Sequence, residues 1–271
     1  MSVFAAIQMT SGADIAENLA VAGRWIAQAK DAGAQIVLLP ENFNFLGMKD
    51  ADKRAIAEPF GSGITQDFLA ACAQRHGLWI IGGTIPLASE SNDDRVTNSM
   101  LVFDSGGRCV SRYDKMHLFD VNVPGKAQEI YRESAHVAPG HQVVVVDTPA
   151  GRVGLSVCYD VRFPELYRQL SAQGAEILVV PAAFTVPTGQ AHWEVLLRAR
   201  AIENLSYVVA AAQTGTHPNR RETYGDSLIV DWWGRVVTRK PHGSGIISAA
   251  LDLAALRQTR VEFPALSNRV L

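Results

Sequence analysis

The chain has 271 residues, 48% of them apolar and 19% charged, a balance that excludes an intrinsically disordered protein. Its 25 Lys and Arg against 27 Asp and Glu leave a formal charge of -2, so nothing basic is offered to nucleic acid or to a membrane surface. Three cysteines, Cys72, Cys109 and Cys158, with no CxxC among them, exclude a disulfide framework and a zinc knuckle and fit a reducing, cytoplasmic setting.

Phe4 to Gln8 reads as a buried strand, because the apolar run lacks the basic flank and the length of a signal peptide. Asp14 is placed to cap a helix, and Ile15, Leu19, Ala22, Ile26 and Ala29 recur at helical spacing until Gly33. Ile36 to Leu39 is an unbroken apolar strand, the pattern of a strand covered on both faces, and it runs into Pro40-Glu41. Thr65 to His76 predicts a helix stopped by Gly77, and Trp79 to Ile85 one further strand. Met100 to Phe103 and Arg108 to Arg112 flank the turn Asp104-Ser105-Gly106-Gly107 as a hairpin. Residues 116–141 show no clean period and read as a long irregular excursion, a kind of segment that is often functional.

Gln142 to Asp147 and Arg152 to Val157 predict paired strands around Thr148 to Gly151. Pro164 and Glu165 open a helix that Gly174 ends. The strand Ile177 to Val180, a helix from about 190 to 205 and the strand Tyr207 to Ala212 follow. Ser227 to Val230 and Val236 to Arg239 form a second hairpin around Asp231-Trp232-Trp233-Gly234, and Ile246 to Leu251 is the last strand before a short helical tail from 253. Hairpins mixed with strand–helix–strand units predict an α/β protein with two mixed sheets and helices outside, an αββα sandwich. Neither GxGxxG after a strand nor GxxxxGK[ST] occurs, which argues against a dinucleotide or P-loop fold. No linker or low-complexity run divides the chain, so residues 1–271 are expected to be one domain, and no run of about 18 apolar residues predicts a membrane span.

Glu41, Lys115 and Cys158 each stand where a strand gives way to a loop, the edge at which α/β sites assemble. A cysteine there is more often a small core residue, a glutamate a solvated acid, and a lysine beside Asp114 a surface pair. As a set they describe chemistry at an amide or nitrile carbon. A carboxylate deprotonates the thiol and later activates water, and a lysine faces the developing oxyanion. A Cys–His pair is the rival arrangement, with His117 and His192 as candidates.

These residues lie in LLPENF, YDKMHLFD and GLSVCYDVRFPELYR, followed by AFTVPTGQAHWEVLLRARAIEN and DSLIVDWWG. In that order the blocks resemble the nitrilase, or carbon–nitrogen hydrolase, superfamily over nearly the whole chain. TGQAHWEVLLRARAIEN resembles its deaminated glutathione amidase branch more than the sister ω-amidases. The resemblance implies a four-layer αββα fold that pairs into dimers or higher even-numbered oligomers, and no cofactor or metal. It implies Glu41 as general base, Lys115 as the cation for the tetrahedral intermediate and Cys158 as nucleophile. A second glutamate falls within PGKAQEIYRES, where Glu133 is favoured over Glu129 because Ser134 follows it.

The substrate implied is a small anionic amide, deaminated glutathione, cleaved through a Cys158 thioester with release of the amine or ammonia. The Tyr159 N–H joins Lys115 at the oxyanion. Arg162 is the expected grip on a carboxylate, Phe184 an apolar wall, and Thr188, Gly189 and His192 further contacts. The same groups would serve an ω-amidase on α-ketoglutaramate, a nitrilase or an N-carbamoyl hydrolase, and a non-catalytic binding protein is the reading from another class. Two blocks depart from relatives: Tyr224-Gly225-Asp226-Ser227 where YGHS is usual, and Asp231-Trp232-Trp233-Gly234 where DPWG is common. The exposed indoles expected there, and the tail from about 253 to 271, are the expected dimer contact.

Overall fold

The computed structural model of the chain describes residues 1–89, 94–123 and 130–270. Ser2–Gln8, Ile36–Leu38 and Trp79–Ile81 run parallel at the centre of one sheet. Gly245–Leu251 closes one side of it antiparallel, and Val96–Phe103, Ile85–Ala88 and Cys109–Asp114 build the other. In the second sheet Gly151–Leu155, Ile177–Ala182 and Tyr207–Ala212 are the parallel centre. Val145–Thr148 flanks that centre on one side, and Ser227–Val230 with Val236–Lys240 on the other, all antiparallel.

The unbroken apolar runs work because both faces of each central strand are covered. Phe4, Ala6, Ile36 and Leu38 face the second sheet and share its core with Leu155, Val179 and Val209. Ala5, Ile7, Val37 and Leu39 point the other way, onto Leu19, Ile26 and Ala29 of the helix Ile15–Asp31 and Leu69 of Ile64–His76. Leu166 and Leu170 of the helix Pro164–Ala172, with Trp193 and Leu197 of Val186–Asn204, cover the outer face of the second sheet. Four layers result, in the order helix, sheet, sheet, helix. Each fully buried Leu, Ile or Val stabilises them by about 1.5–3 kcal/mol.

Three elements differ from expectation. The run from Trp79 to Ile85 is two strands, not one, because Gly83 turns the chain at φ +52. A Cβ at Gly83 would lie 2.1 Å from the Pro40 carbonyl oxygen, so only glycine lets this backbone press against the Leu39-Pro40 segment. The helix expected from 190 begins at Val186, since Pro187 falls in its first turn, where proline fits, rather than breaking it. The excursion after Met116 holds short paired strands, Asp120–Asn122 with Ile130–Arg132, and a 3-10 turn Glu133–Ala135.

Candidate active site

The parallel strands of both sheets point their carboxyl ends at one place. Glu41 lies just beyond Ile36–Leu38, Cys158 just beyond Gly151–Leu155, and Ala183 directly after Ile177–Ala182. Lys115 follows Cys109–Asp114, and Glu133 opens its 3-10 turn. One pocket brings together Glu41, Lys115, Glu133, Cys158, Tyr159, Phe184 and Thr188.

Glu41 is only 3% exposed, and every oxygen has a donor. Its Oε1 accepts from Lys115 Nζ at 2.9 Å and from Asn98 Nδ2 at 3.1 Å, and its Oε2 from the Ala183 N–H at 2.9 Å. Lys115 Nζ also donates to Glu133 Oε2 at 2.9 Å and Oε1 at 3.1 Å. Glu133 Oε2 is fixed in turn by the Phe119 N–H at 2.7 Å. Two buried carboxylates therefore flank one buried ammonium.

The electrostatics follow from that stacking. Burial opposes charge on Lys115, but Glu133 and Glu41 outweigh it and hold the ammonium well above the usual lysine range. Burial likewise opposes charge on Glu133, and Lys115 offsets it, keeping that carboxyl below its ordinary value. The Cys158 thiol goes the other way. Burial and the adjacent Glu41 carboxylate push it well above the ordinary thiol range, against the pull of Lys115. At neutral pH the arrangement is a neutral thiol beside an ion-paired carboxylate.

Cys158 sits at φ +50 at the head of the 3-10 turn Cys158–Arg162. A non-glycine residue in that region is strained by about 1–3 kcal/mol, so the surroundings must hold it there. Asp160 does so from the same turn, accepting from the Val157 N–H at 2.8 Å and from the Tyr113 hydroxyl at 2.7 Å. It also accepts from His117, through the backbone N–H at 3.0 Å and Nδ1 at 2.7 Å. Since a carboxylate only accepts, His117 Nδ1 carries the proton. Tyr113 and His117 flank Lys115 in sequence, so one carboxylate ties the cysteine turn to the lysine turn. His117 stacks on Phe163 with ring centroids 3.8 Å apart, which places it in this clasp rather than in the pocket lining.

Three residues expected to touch substrate do not line the pocket. Arg162 lies over the Tyr159 and Phe184 rings at 5.7 and 5.5 Å, behind the wall they form, and its guanidinium meets His192 Nδ1 at 3.3 Å. His192 is on the exposed face of the helix Val186–Asn204. Gly189 is a packing position, since a Cβ there would lie 2.2 Å from the Tyr224 ring. Glu129, the alternative second glutamate, lies outside the described residues.

Other residues in or behind the pocket wall were not legible as a set. Asn98, whose amide reaches both Glu41 and Glu133 Oε1, stands mid-strand. Asn42, Asp50, Lys53, Phe119, Tyr131 and Arg221 complete the wall. Asn42 and Phe119 stand in LLPENF and YDKMHLFD, and the others arrive from segments with no shared motif, which only the fold assembles. No group of three or more His, Cys, Asp or Glu able to hold a metal occurs among the described residues.

The departure at Asp226 has a local compensation. Its buried carboxylate takes Arg239 Nε and Nη2, and Arg239 Nη1 continues to Glu194 at 3.0 Å. Neither Asp226 nor Arg239 lines the pocket.

The sequence matches the carbon–nitrogen hydrolase family over residues 4–261. A deaminated glutathione amidase of Yersinia enterocolitica is 43% identical over 264 residues, spanning 97% of this chain and 91% of its own. The crystal structure of the C. elegans NitFhit protein superposes with a TM-score of 0.89 at 39% identity, covering 99% of this chain and 65% of that one. Saccharomyces cerevisiae Nit3, a member of branch 10 of the nitrilase superfamily, gives a TM-score of 0.89 at 29% identity, covering 100% and 97% of the two chains.

Proposed function

The chain belongs to the carbon–nitrogen hydrolase family, an amide-hydrolysing enzyme with the αββα fold of the nitrilases, and we propose that Cys158 is its nucleophile, Glu41 its base, Lys115 its oxyanion cation and Glu133 the acid that fixes Lys115. The substrate is deaminated glutathione, the activity named for the Yersinia relative. The bond cleaved is the amide joining its 2-oxo acid to cysteinylglycine.

One observation carries the mechanism: a buried thiol, a carboxylate and an ammonium meet in a single pocket. The thiol is neutral at rest, so it loses its proton to Glu41 as it attacks the amide carbon. Protonating Glu41 removes one of the two negative charges holding Lys115, at the step in which a new one forms on the carbonyl oxygen. Lys115 then turns the N–H that held Glu41 to that oxygen, while Glu133 keeps the ammonium in place. The Tyr159 N–H, next to the nucleophile, is the second donor. Collapse of the intermediate breaks the C–N bond, and the leaving amine takes the proton from Glu41. The same carboxylate accepts a proton from water, which opens the thioester and restores the thiol.

Asn98 steadies this by bonding Glu41 through its amide. We also read residues 1–271 as one domain, working in the cytoplasm as a homodimer. Among the described residues no helix is long and apolar enough to cross a membrane.

The test is a substrate panel of deaminated glutathione, α-ketoglutaramate, an N-carbamoyl amino acid and an aliphatic nitrile. Products are followed as 2-oxoglutarate, cysteinylglycine and ammonia. The highest kcat/KM is expected for deaminated glutathione. A higher value for the nitrile or the carbamoyl compound would overturn the substrate assignment.

A further inference from the structure

The pocket has three cationic side chains in its wall, and two are already paired. Lys115 is held by Glu41 and Glu133, and Lys53 lies 3.7 Å from Asp50. Arg221 makes no ion pair with an acid among the described residues. Its Nη2 donates to the Ala183 carbonyl at 2.7 Å, its guanidinium lies 5.1 Å above the Tyr131 ring, and its Nε is buried without a partner. A buried guanidinium N–H with nothing to donate to is costly unless a ligand completes it.

The chain builds this position with care. Arg221 ends a tight turn in which its carbonyl accepts from the His217 N–H at 2.9 Å and the Arg220 N–H donates to the His217 carbonyl at 2.8 Å. Asn219 Oδ1 accepts from the Arg221 N–H at 3.0 Å, and Arg220 adopts φ +64 to make the turn. The Ala183 that Arg221 grips gives its own N–H to Glu41. The guanidinium is thus linked to the reacting carboxylate through a single residue, Ala183.

Arg221 also lines a second, open cavity of about 1190 Å³ outside the first, shared through Asp50 and Tyr131 and walled by Met48, Ile130 and Pro187. The amine half of the substrate must leave before water enters, so it belongs on this open side. The acyl half stays bonded to Cys158 through both steps and belongs in the inner pocket. We infer that Arg221 is the residue that recognises the substrate by pairing with a carboxylate on its acyl half, a few bonds from the amide carbon. The inference rests on the amidase reading above and assigns to Arg221 the grip first expected of Arg162. The planar fork suits a carboxylate, and Tyr131 shields the pair from water.

The test compares wild type with Arg221→Ala and Arg221→Lys on deaminated glutathione and on butyramide, whose acyl half has no carboxylate. Arg221→Ala is expected to lower kcat/KM for deaminated glutathione roughly 30- to 1000-fold, mainly through KM, and at least tenfold more than for butyramide. Arg221→Lys should recover part of that loss. Equal falls for both amides would overturn the inference and make Arg221 a prop for Ala183. No fall with an active wild type would also overturn it. A readout independent of turnover is protection of Cys158 from iodoacetamide by glutarate, which should need at least tenfold more glutarate in Arg221→Ala. Should wild type fail on deaminated glutathione, the substrate reading falls, and the protection assay still decides whether Arg221 binds a carboxylate. Unchanged protection would then refute it.

Discussion

Asp160 is completely buried and accepts four hydrogen bonds, two from the backbone and two from side chains. Its alanine variant leaves the Tyr113 hydroxyl, the His117 ring and two N–H groups without an acceptor. We expect a loss of about 3 kcal/mol of stability or more, and a fall of roughly 10- to 100-fold in kcat because the strained Cys158 turn is released. Asp160→Asn, which keeps two acceptor sites, should retain more of both. A chemical melt and steady-state kinetics at a temperature where both variants stay folded check this. Unchanged kcat in folded Asp160→Ala would remove its positioning role. At this scale Glu41 and Cys158 were legible as polar residues set after apolar strands, and Lys115, which follows the polar run Ser111-Arg112-Tyr113-Asp114, only through the block YDKMHLFD. Asp160 was not, since an acid in a turn is ordinary until Tyr113 and His117 are seen to converge on it. Arg221 was masked by Arg162, which stands nearer the cysteine in sequence but behind an aromatic wall in space.

The helices and strands followed their local signals where those signals were local. Asp14 caps its helix by accepting from the Glu17 N–H, as its position before Ile15 implies. The split at Gly83 depends on a tertiary contact, the close approach to the Pro40 carbonyl, whereas the start at Val186 follows from Pro187 fitting the first helical turn. The turn that presents Arg221 carries a pH-sensitive fastening. His217 Nδ1 donates to the Ser11 carbonyl at 2.9 Å, and in the neutral ring that burial favours Nε2 accepts from Thr223 Oγ1 at 2.8 Å. Burial lowers its pKa below the usual histidine value, helped by the positive charge of Arg221, while the Ser11 bond opposes the shift. The unfolded chain therefore takes up this proton first as pH falls. The stability His217 contributes is complete above about pH 6.5 and is lost as pH drops through the folded value. Unfolding free energy of His217→Gln, measured against wild type, should rise less steeply with pH just below about 6.5. Parallel curves would show that the ring does not titrate with folding. The carboxylate of Glu133 does not confuse this window, because its own loss begins below about pH 4.5.

At the scale of the molecule, the four-layer order was readable from runs of apolar residues too continuous for a strand with a wet face. Which strands pair across the sheets was not, because register between distant segments leaves no local trace. The expected pair of exposed indoles divides. Trp232 donates to Thr259 Oγ1 at 3.0 Å and packs edge-on against Tyr207, whereas Trp233 is 51% exposed beside an equally open Phe263. Val195 and Ile202 on the helix Val186–Asn204, Val237 and Val261 are exposed as well. Exposed apolar side chains of this kind would suit the homodimer proposed above. Light scattering at micromolar concentration should give twice the 29.4 kDa chain mass, and Trp233→Glu with Phe263→Glu should shift it toward one chain. A monomeric wild type would remove the dimer from the account.

The central claim is the Cys158 thioester. Wild-type enzyme turning over deaminated glutathione is quenched in acid, digested and read by mass spectrometry. The account predicts a 2-oxo acyl group on the peptide that contains Cys158, and neither adduct nor turnover in a folded Cys158→Ala variant. Turnover by Cys158→Ala within tenfold of wild type, or sustained turnover in the wild type with acyl groups found only elsewhere, would contradict it.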